Sequence, residues 1–238
     1  MKILSIGNSF SQDAHNMLHI IAKQNGMNFQ TVNLFIGGCS LESHHSNLKN
    51  NSNDYFLERN GGEGERNISI TEAFELDDWD IVTLQQASAL SGIYDSYLPH
   101  VSVLADAVRT ALPKAELYFH QTWSYETDSS HDGFLNYGCD QKKMFDSIKS
   151  ASIKAAELIN AKIIPAGETI QNLREKIAEF DYQNGGLSLC RDGFHLSLDY
   201  GRYAAAVTWY YTFTGEKPKV HSIGNMNLEL MQKIVDSL

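Results

Sequence analysis

The stretch ILSIGNSFSQDA (residues 3–14) decides the fold, because it joins a buried strand directly to a helix. Four of the first five residues of the stretch, all but Ser5, suit a buried strand. The next segment, MLHIIAKQNG (17–26), repeats apolar residues at helical spacing and ends in a glycine, which is typical of a helix C-terminus. The chain therefore opens with a β–α unit.

The rest of the chain continues this alternation. Strands are predicted at 2–7, 29–36, 79–86, 115–123 and 162–167. Helices are predicted at 17–26, 97–113, 140–161, 168–179, 198–213 and 226–237. Strands separated by helices predict a parallel sheet with helices on both faces. We therefore predict an α/β fold, a three-layer α/β/α domain with a five-stranded, flavodoxin-like parallel sheet, over residues 1–238 as a single domain.

A long polar segment at about 40–78 does not fit a minimal sheet of this kind. Within it, YFLERNGGEGERNISI (55–70) has β-type runs on both sides of Gly61-Gly62, which favours a hairpin. Long insertions in compact domains are usually functional. We expect this one to cover the substrate side of the fold.

Composition excludes several classes of function. There are 19 basic against 29 acidic residues, a formal charge of −10, and no basic run, so neither nucleic acid nor an anionic membrane is an expected partner. The three cysteines have no metal-type spacing and their odd number argues against a disulfide scaffold.

The N-terminus has no signal-peptide pattern. As it stands, the sequence predicts a cytoplasmic protein, or a secreted or periplasmic one if a leader has been removed.

Ser9 is the first candidate for chemistry. It lies at the strand-to-helix turn, where the helix N-terminus presents free N–H groups and the positive end of the dipole. A serine there can attack a carbonyl, and its own N–H can help to bind the oxyanion. The alternative is that Ser9 or Ser11 only caps the helix.

A base for such a serine lies far along the chain. CRDGFHLSLDYGR (190–202) holds Asp192 and His195, three residues apart before a predicted helix that Ser197 would cap. In a tight turn this spacing lets the carboxylate face the imidazole, fix its tautomer and stabilise its cation. The alternative is a loop with an exposed histidine and a turn aspartate.

Donors for an oxyanion follow two other predicted strands. Gly38, in IGGCS, can bring its N–H close to a ligand because it has no side chain. Gln85 or Gln86, in LQQAS, can donate from a side-chain amide. Because the carboxyl ends of parallel strands share one edge of a sheet, all these residues are expected at one rim.

Two further groups have weaker patterns. Glu42, His44 and His45 could suggest a metal site, but adjacent histidines seldom bind one ion, so we expect none. Aromatic residues after the fourth strand could line a sugar site or simply pack: Trp123, Tyr125, Phe134 and Tyr137. His120, inside that strand, is expected to be a core histidine or one that supports the site from behind. No nucleotide-binding motif is present, and no cofactor is expected.

These blocks resemble the SGNH (GDSL-like) hydrolase superfamily. The first block reads IGNSFS, the second GGCS and the last Asp192-Gly-Phe-His195, in the superfamily's order across residues 3 to about 214. The resemblance implies a flavodoxin-like fold, Ser9 as nucleophile, His195 as base and Asp192 as the orienting acid. It also implies oxyanion binding by the N–H groups of Ser9 and Gly38.

The third block departs from the superfamily's Gly-x-Asn-Asp, because here it reads LQQASAL. This is similar to bacterial branches in which a glutamine replaces the asparagine, among them carbohydrate acetylesterase-like groups. We favour Gln85 as the side-chain donor to the oxyanion, with Gln86 as the alternative. The expected function is a serine esterase for short acyl groups, acetyl above all, on a glycan or other small-molecule ester. The alternative is a catalytically weak or inactive glycan-binding domain, and a thioesterase or lipase is a third.

Overall fold

A seven-stranded sheet forms the centre of the molecule in a computed structural model that describes residues 1–238. The strands are β1 (Lys2–Gly7), β2 (Gln30–Phe35), β3 (Tyr55–Arg59), β4 (Gly64–Ile68), β5 (Ile81–Leu84), β6 (Glu116–His120) and β7 (Lys162–Ile164). Their spatial order is β4-β3-β2-β1-β5-β6-β7. Counted alone, the five parallel strands run in the 2-1-3-4-5 order of flavodoxin-like folds.

The predicted strand count of five is wrong, because the polar segment adds two antiparallel strands. β3 pairs with the outer edge of β2, and β4 pairs with β3. The hairpin predicted around Gly61-Gly62 is present, with Asn60 and Gly61 at positive φ in its turn. The hairpin therefore extends the sheet, since it pairs with the backbone groups along the free edge of β2.

Eight α-helices connect and cover the strands. They are α1 (Ser9–Gln24), α2 (Leu41–Asn50), α3 (Ile70–Glu75), α4 (His100–Ala111), α5 (Gln141–Leu158), α6 (Ala166–Lys176), α7 (Tyr200–Thr214) and α8 (Leu228–Asp236). The helix predicted near Leu198 begins two residues later, because Asp199 rather than Ser197 accepts the first helical N–H. None of these helices is both long and apolar enough to span a membrane.

Each face of the sheet has its own hydrophobic core. α1, α6, α7 and α8 pack on the face that carries Ile3, Ile81 and Tyr118. The opposite face carries Leu4, Val82 and Leu117 and packs against α3, α4 and part of α5. Because side chains alternate along a strand, the residues next to these point the other way.

The face under α1 and α7 carries polar side chains toward the carboxyl ends of the strands. They are fully buried: Ser5, Asn33, Thr83 and His120. Buried polar groups stabilise a fold only when they are hydrogen-bonded. Their partners come mainly from α1 and from the loop after β5, so this layer fixes how those segments sit on the sheet.

Candidate active site

Ser9 is the first residue of α1, and it does not cap that helix. The cap is Asn8, whose side-chain oxygen accepts the Phe10 N–H at 3.0 Å. Ser11 completes a capping box by accepting the Asn8 N–H at 3.1 Å. A side chain at Gly7 would meet the Ser11 Oγ at 2.0 Å, so only glycine fits there. Ser9 is thus left free of any capping role.

The structure brings Ser9, His195 and Asp192 into one hydrogen-bonded row. The His195 Nε2 lies 2.9 Å from the Ser9 Oγ. The His195 Nδ1 lies 2.7 Å from the Asp192 Oδ2. The other carboxylate oxygen, Oδ1, accepts the backbone N–H of His195 at 2.7 Å. This row has the order that acyl-transfer chemistry needs, namely hydroxyl, imidazole and carboxylate.

Asp192 is held in its ionised form. Partial burial alone would raise its pKa, but hydrogen bonds from the His195 ring and from the N–H groups of His195 and Phe194 together lower the pKa of this carboxyl below its ordinary value. Because the Asp192 carboxylate accepts a hydrogen bond from Nδ1, the neutral imidazole of His195 carries its proton on Nδ1. Its Nε2 is then unprotonated and can accept a hydrogen bond from the Ser9 hydroxyl.

A buried carboxylate on α1 attaches the loop of His195 to the helix that carries Ser9. Asp13 lies one helical turn after Ser9 and is completely buried. It accepts the Leu196 N–H at 2.9 Å, the Arg202 Nε–H at 2.8 Å, and the Arg191 Nη1–H groups at 3.0 and 3.1 Å. Arg191 Nη1 also donates to the Leu196 carbonyl. Ser9 and His195 are therefore positioned by the same helix.

The two backbone N–H groups predicted to bind an oxyanion have no acceptor within the protein. One belongs to Ser9, in the first turn of α1, and the other to Gly38, in the turn after β2. Gly38 has a φ of +65°, a conformation that favours glycine. Both residues line one cavity with His195. Free N–H groups beside a nucleophile are suited to binding a developing oxyanion.

The two glutamines after β5 are not equivalent. Gln86 uses its whole amide, because its oxygen accepts the N–H groups of Leu41 and Ala87 while its nitrogen donates to the carbonyl and hydroxyl of Ser96. Gln85 donates one amide hydrogen to Asn8, and its second hydrogen has no acceptor in the protein. Of the two, only Gln85 keeps an amide hydrogen free, and Gln85 itself is buried and is not among the residues that line the cavity.

Gln85 is oriented by a chain of buried contacts. The Asn8 oxygen faces the Phe10 N–H, and its amide nitrogen donates to the Cys39 carbonyl at 3.1 Å, so this amide cannot be reversed. The Gln85 nitrogen must then donate to the Asn8 oxygen, at 2.6 Å. The Gln85 oxygen in turn accepts from the His120 Nδ1 at 2.8 Å. Burial, with a smaller effect of nearby His15, lowers the pKa of His120 to about 3, so the ring is neutral.

The site opens into a cavity of about 420 Å³. Besides Ser9, Gly38 and His195, the cavity is lined by three phenylalanine rings and five other residues: Phe10, Phe35, Phe194, Gln12, Gly37, Ser88, His131 and Arg191. No residue of 40–78 lines this cavity, contrary to the expected cover. The hairpin acts from behind instead, since Glu58 accepts hydrogen bonds from Gln12 and Asn33.

The other predicted groups lie elsewhere. Trp123, Tyr125, Phe134 and Tyr137 are buried in the core and do not line the cavity. Trp123 still supports the site, because its ring stacks on Phe10 at 4.3 Å and its N–H donates to the Phe194 carbonyl at 2.7 Å. Adjacent His44 and His45 face different partners, Tyr55 at 2.8 Å and His100 at 3.0 Å. His120 is a buried supporting histidine, one of the two roles expected for it.

The sequence interpretation missed three residues that shape the site. Asn8 has a detectable signal, because an asparagine directly before a helix is a strong cap. Asp13 carries a detectable signal, because an acid four residues after Ser9 falls on the same helix face. No sequence pattern points to Arg191, because its contact with Asp13 joins two residues that are 178 positions apart in the chain.

Comparisons with known proteins agree on the fold. A putative SGNH hydrolase from Slackia heliotrinireducens matches with a TM-score of 0.60 and 21% identity, covering 90% of this chain and 98% of that one. A variant of an acetyl-xylooligosaccharide esterase from Geobacillus stearmophilus matches with a TM-score of 0.57 and 11% identity, over 92% and 97% of the two chains. At these identities the likeness shows that the chain has a fold similar to that of SGNH hydrolases. The comparison with curated proteins found no match.

The family is shown by two stronger matches. The model of a domain of unknown function, DUF4886, matches residues 2–224. The crystal structure of a DUF4886 family protein from Bacteroides uniformis ATCC 8492 is 39% identical, with a TM-score of 0.91 over 100% of this chain and 92% of that one. The chain belongs to the DUF4886 family.

Proposed function

We propose that this protein is a serine esterase of the SGNH type that hydrolyses short acyl esters, acetyl esters above all. The observation that carries the proposal is the hydrogen-bonded row from Ser9 through His195 to Asp192, with contacts of 2.9 and 2.7 Å. Each member has the residue type and the partner that nucleophilic acyl transfer requires. The row lies at the carboxyl edge of the parallel strands, where such sheets bind ligands.

In the proposed reaction, the Ser9 Oγ attacks the ester carbonyl while the His195 Nε2 takes the hydroxyl proton. The tetrahedral intermediate breaks its bond to the leaving oxygen, which receives that proton from His195. A water molecule then attacks the acyl-enzyme, again giving a proton to His195, and Ser9 leaves with it as the free acid is released. Asp192 stabilises the imidazolium in both halves.

The oxyanion is bound by three donors in this proposal. The free N–H groups of Ser9 and Gly38 are two of them, and the second amide hydrogen of Gln85 is the third. A single side-chain donor of this kind is worth roughly 10²–10³ in turnover. Gln85 thus takes the place of the asparagine in the superfamily's third block, and the reaction uses no metal or cofactor.

The proposed substrate is a short acyl group on a glycan or similar polyol. A cavity of about 420 Å³ that combines three phenylalanine rings with polar side chains suits a sugar ring carrying a small ester. The fold likeness to an acetyl-xylooligosaccharide esterase supports the same substrate class. Neither nucleic acid nor membrane is a proposed partner, given the formal charge of −10.

A fluorophosphonate probe together with 4-nitrophenyl acetate tests the proposal. The wild-type protein should be labelled at Ser9 and should hydrolyse the ester, whereas Ser9→Ala should lose both properties and keep its thermal unfolding midpoint. Ser150→Ala, on the exposed face of α5, is the matched control and should behave as wild type. Octanoyl esters should be hydrolysed more slowly than acetyl esters. Unchanged activity in Ser9→Ala would refute the nucleophile.

The same experiment separates the alternative of an inactive glycan-binding domain. Such a domain would bind acetylated sugars without covalent labelling and without turnover. The departure from Gly-x-Asn-Asp in the third block is the feature in its favour. Against it stands the free amide hydrogen of Gln85, which keeps a donor available at that position.

A further inference from the structure

The cavity beside Ser9 contains one fixed positive charge that the proposed ester hydrolysis does not use. Arg191 lines this cavity together with Ser9, Gly38 and His195. No carboxylate side chain lines it. Asp192, the next residue in sequence, is turned toward the ring and backbone of His195.

Arg191 shares its carboxylate partner with a second arginine. Asp13 is paired with both Arg191 and Arg202, at 3.0 and 2.8 Å. One carboxylate is therefore shared between two guanidinium groups, and Arg191 has no ion-pair partner of its own, although it also lines a neighbouring cavity with Glu126, Asp128 and Asp192. The side chain of Arg202 is 15% exposed and does not line the cavity, whereas that of Arg191 is 31% exposed and does.

The guanidinium of Arg191 is also held rigidly with donors to spare. Its Nη1 contacts both oxygens of Asp13 and the carbonyl of Leu196. Its Nη2 and Nε have no acceptor in the protein. A guanidinium fork that is already ordered loses little conformational freedom when it binds a planar anion, and carboxylates fit it in a bidentate manner.

We infer that Arg191 binds a carboxylate on the substrate, so that the preferred ester is an acylated acidic sugar rather than a neutral one. The inference rests on the proposed function, because it specifies the substrate of the same site. With a formal charge of −10, the protein as a whole repels anions, and a local cation is what an anionic substrate would need. A neutral sugar ester would gain nothing from it.

A matched pair of substrates tests this inference. The methyl glycoside of acetylated galacturonic acid is compared with its carboxamide, which has the same ring and acetyl group but no charge. For the wild-type protein we expect kcat/KM to be roughly 10- to 100-fold higher for the acid, the usual range for a hydrogen bond to a charged group. The preference should shrink as salt is raised.

Two variants separate recognition from the structural role of Arg191. Arg191→Gln and Arg202→Gln each remove one of the two arginines of Asp13, so both should weaken folding. Only Arg191→Gln should bring the acid-to-amide ratio close to one, and Arg202→Gln should keep the wild-type ratio. A ratio near one in the wild type, or the same ratio in both variants, would overturn the inference.

Binding to Ser9→Ala distinguishes this failure from failure of the proposed function. If no ester is hydrolysed but this variant binds the acid at least tenfold more tightly than the amide, the anion site stands and the esterase does not. If esters are hydrolysed with no preference for the acid, the esterase stands and the anion site does not. Equal binding of acid and amide in the absence of turnover refutes both.

Discussion

At the scale of single residues, the proposed donor role of Gln85 depends on a completely buried histidine, His120. His120 holds the Gln85 oxygen, and Asn8 holds the Gln85 nitrogen, so the free amide hydrogen has only one direction. In the proposed reaction, His120 is therefore a positioning residue for Gln85, the proposed oxyanion donor. Its neutral ring has a single N–H, which the contact with Gln85 consumes.

We expect Gln85→Ala to lower kcat by roughly 10²–10³ with little change in KM, because the lost bond strengthens only in the transition state. His120→Leu should lower kcat by a similar route. His120→Asn should retain more activity, since its amide N–H can replace the Nδ1–H. The measurement is a double-mutant cycle on 4-nitrophenyl acetate hydrolysis.

If His120 acts through Gln85, the double variant Gln85→Ala/His120→Leu should be no slower than Gln85→Ala alone. Losses that multiply would show that His120 affects the reaction by another route. Gln86→Ala is the matched control among the glutamines. It should act mainly on stability, because its amide joins Leu41, Ala87 and Ser96.

The residue types of the site could be predicted from the sequence, but their pairing could not be predicted fully. Ser9, Asp192 and His195 follow from a strand-to-helix turn and a three-residue spacing, both of which are local. The choice between Gln85 and Gln86 depends on partners 77 and 45 residues away, Asn8 and Leu41. Neighbouring residues on a chain can point in opposite directions, and only the tertiary contacts decide which one faces the site.

At the scale of elements, α1 carries both Ser9, the proposed nucleophile, and Asp13, which anchors the loop that holds His195. Asp13 is completely buried and accepts hydrogen bonds from two arginines and from the Leu196 N–H. Removing one partner of a buried ion pair leaves uncompensated charge, which typically costs about 3–5 kcal/mol. The loop that carries His195 would also lose its attachment to α1.

We therefore expect Asp13→Asn to lower the free energy of unfolding by about 3–5 kcal/mol and to lower kcat, since His195 is no longer held against Ser9. Urea unfolding and ester hydrolysis measure the two effects. Asp146→Asn is the matched control, because Asp146 and Lys142 form a surface pair with both side chains 60% exposed. It should change stability by less than about 1 kcal/mol. Equal effects in the two variants would mean that Asp13 is no anchor.

The elements themselves show where sequence patterns stop being sufficient. The strands β1 and β2 were predicted within one residue at each end, because short runs rich in β-branched, aromatic and other apolar residues, bounded by turn residues, leave a clear signal. The hairpin was recognised from its turn, but its place in the sheet was not. Two of the five residues of β3 are exposed, whereas four of the five residues of β4 are exposed. An exposed outer strand such as β4 has no hydrophobic pattern that would fix its pairing with β3.

At the scale of the whole molecule, three buried histidines make stability depend on pH. Burial lowers the pKa of His15, His44 and His120 to about 3, from 6.5 in the unfolded chain. Between these values the unfolded state binds protons that the native state does not, so stability is lost as the pH falls below 6.5. Each histidine contributes about 1.4 kcal/mol per pH unit. Two buried carboxyls oppose this near pH 4.5 and above, because burial raises the pKa of Glu58 and Glu126.

Three such groups together remove roughly 10 kcal/mol by pH 4, which is comparable to the whole stability of a domain, about 5–15 kcal/mol. We therefore expect the protein to lose most of its stability between about pH 6 and pH 4. Urea unfolding at a series of pH values should show a free energy that falls steeply in that interval. His44→Asn should reduce the slope by about one proton, since it removes one titrating group from the native core. His221→Asn, at an exposed position, should leave the slope as in the wild type. A wild-type stability that stays constant from pH 6.5 to pH 4.5, or equal slopes in the two variants, would show that these histidines are not held neutral by the fold.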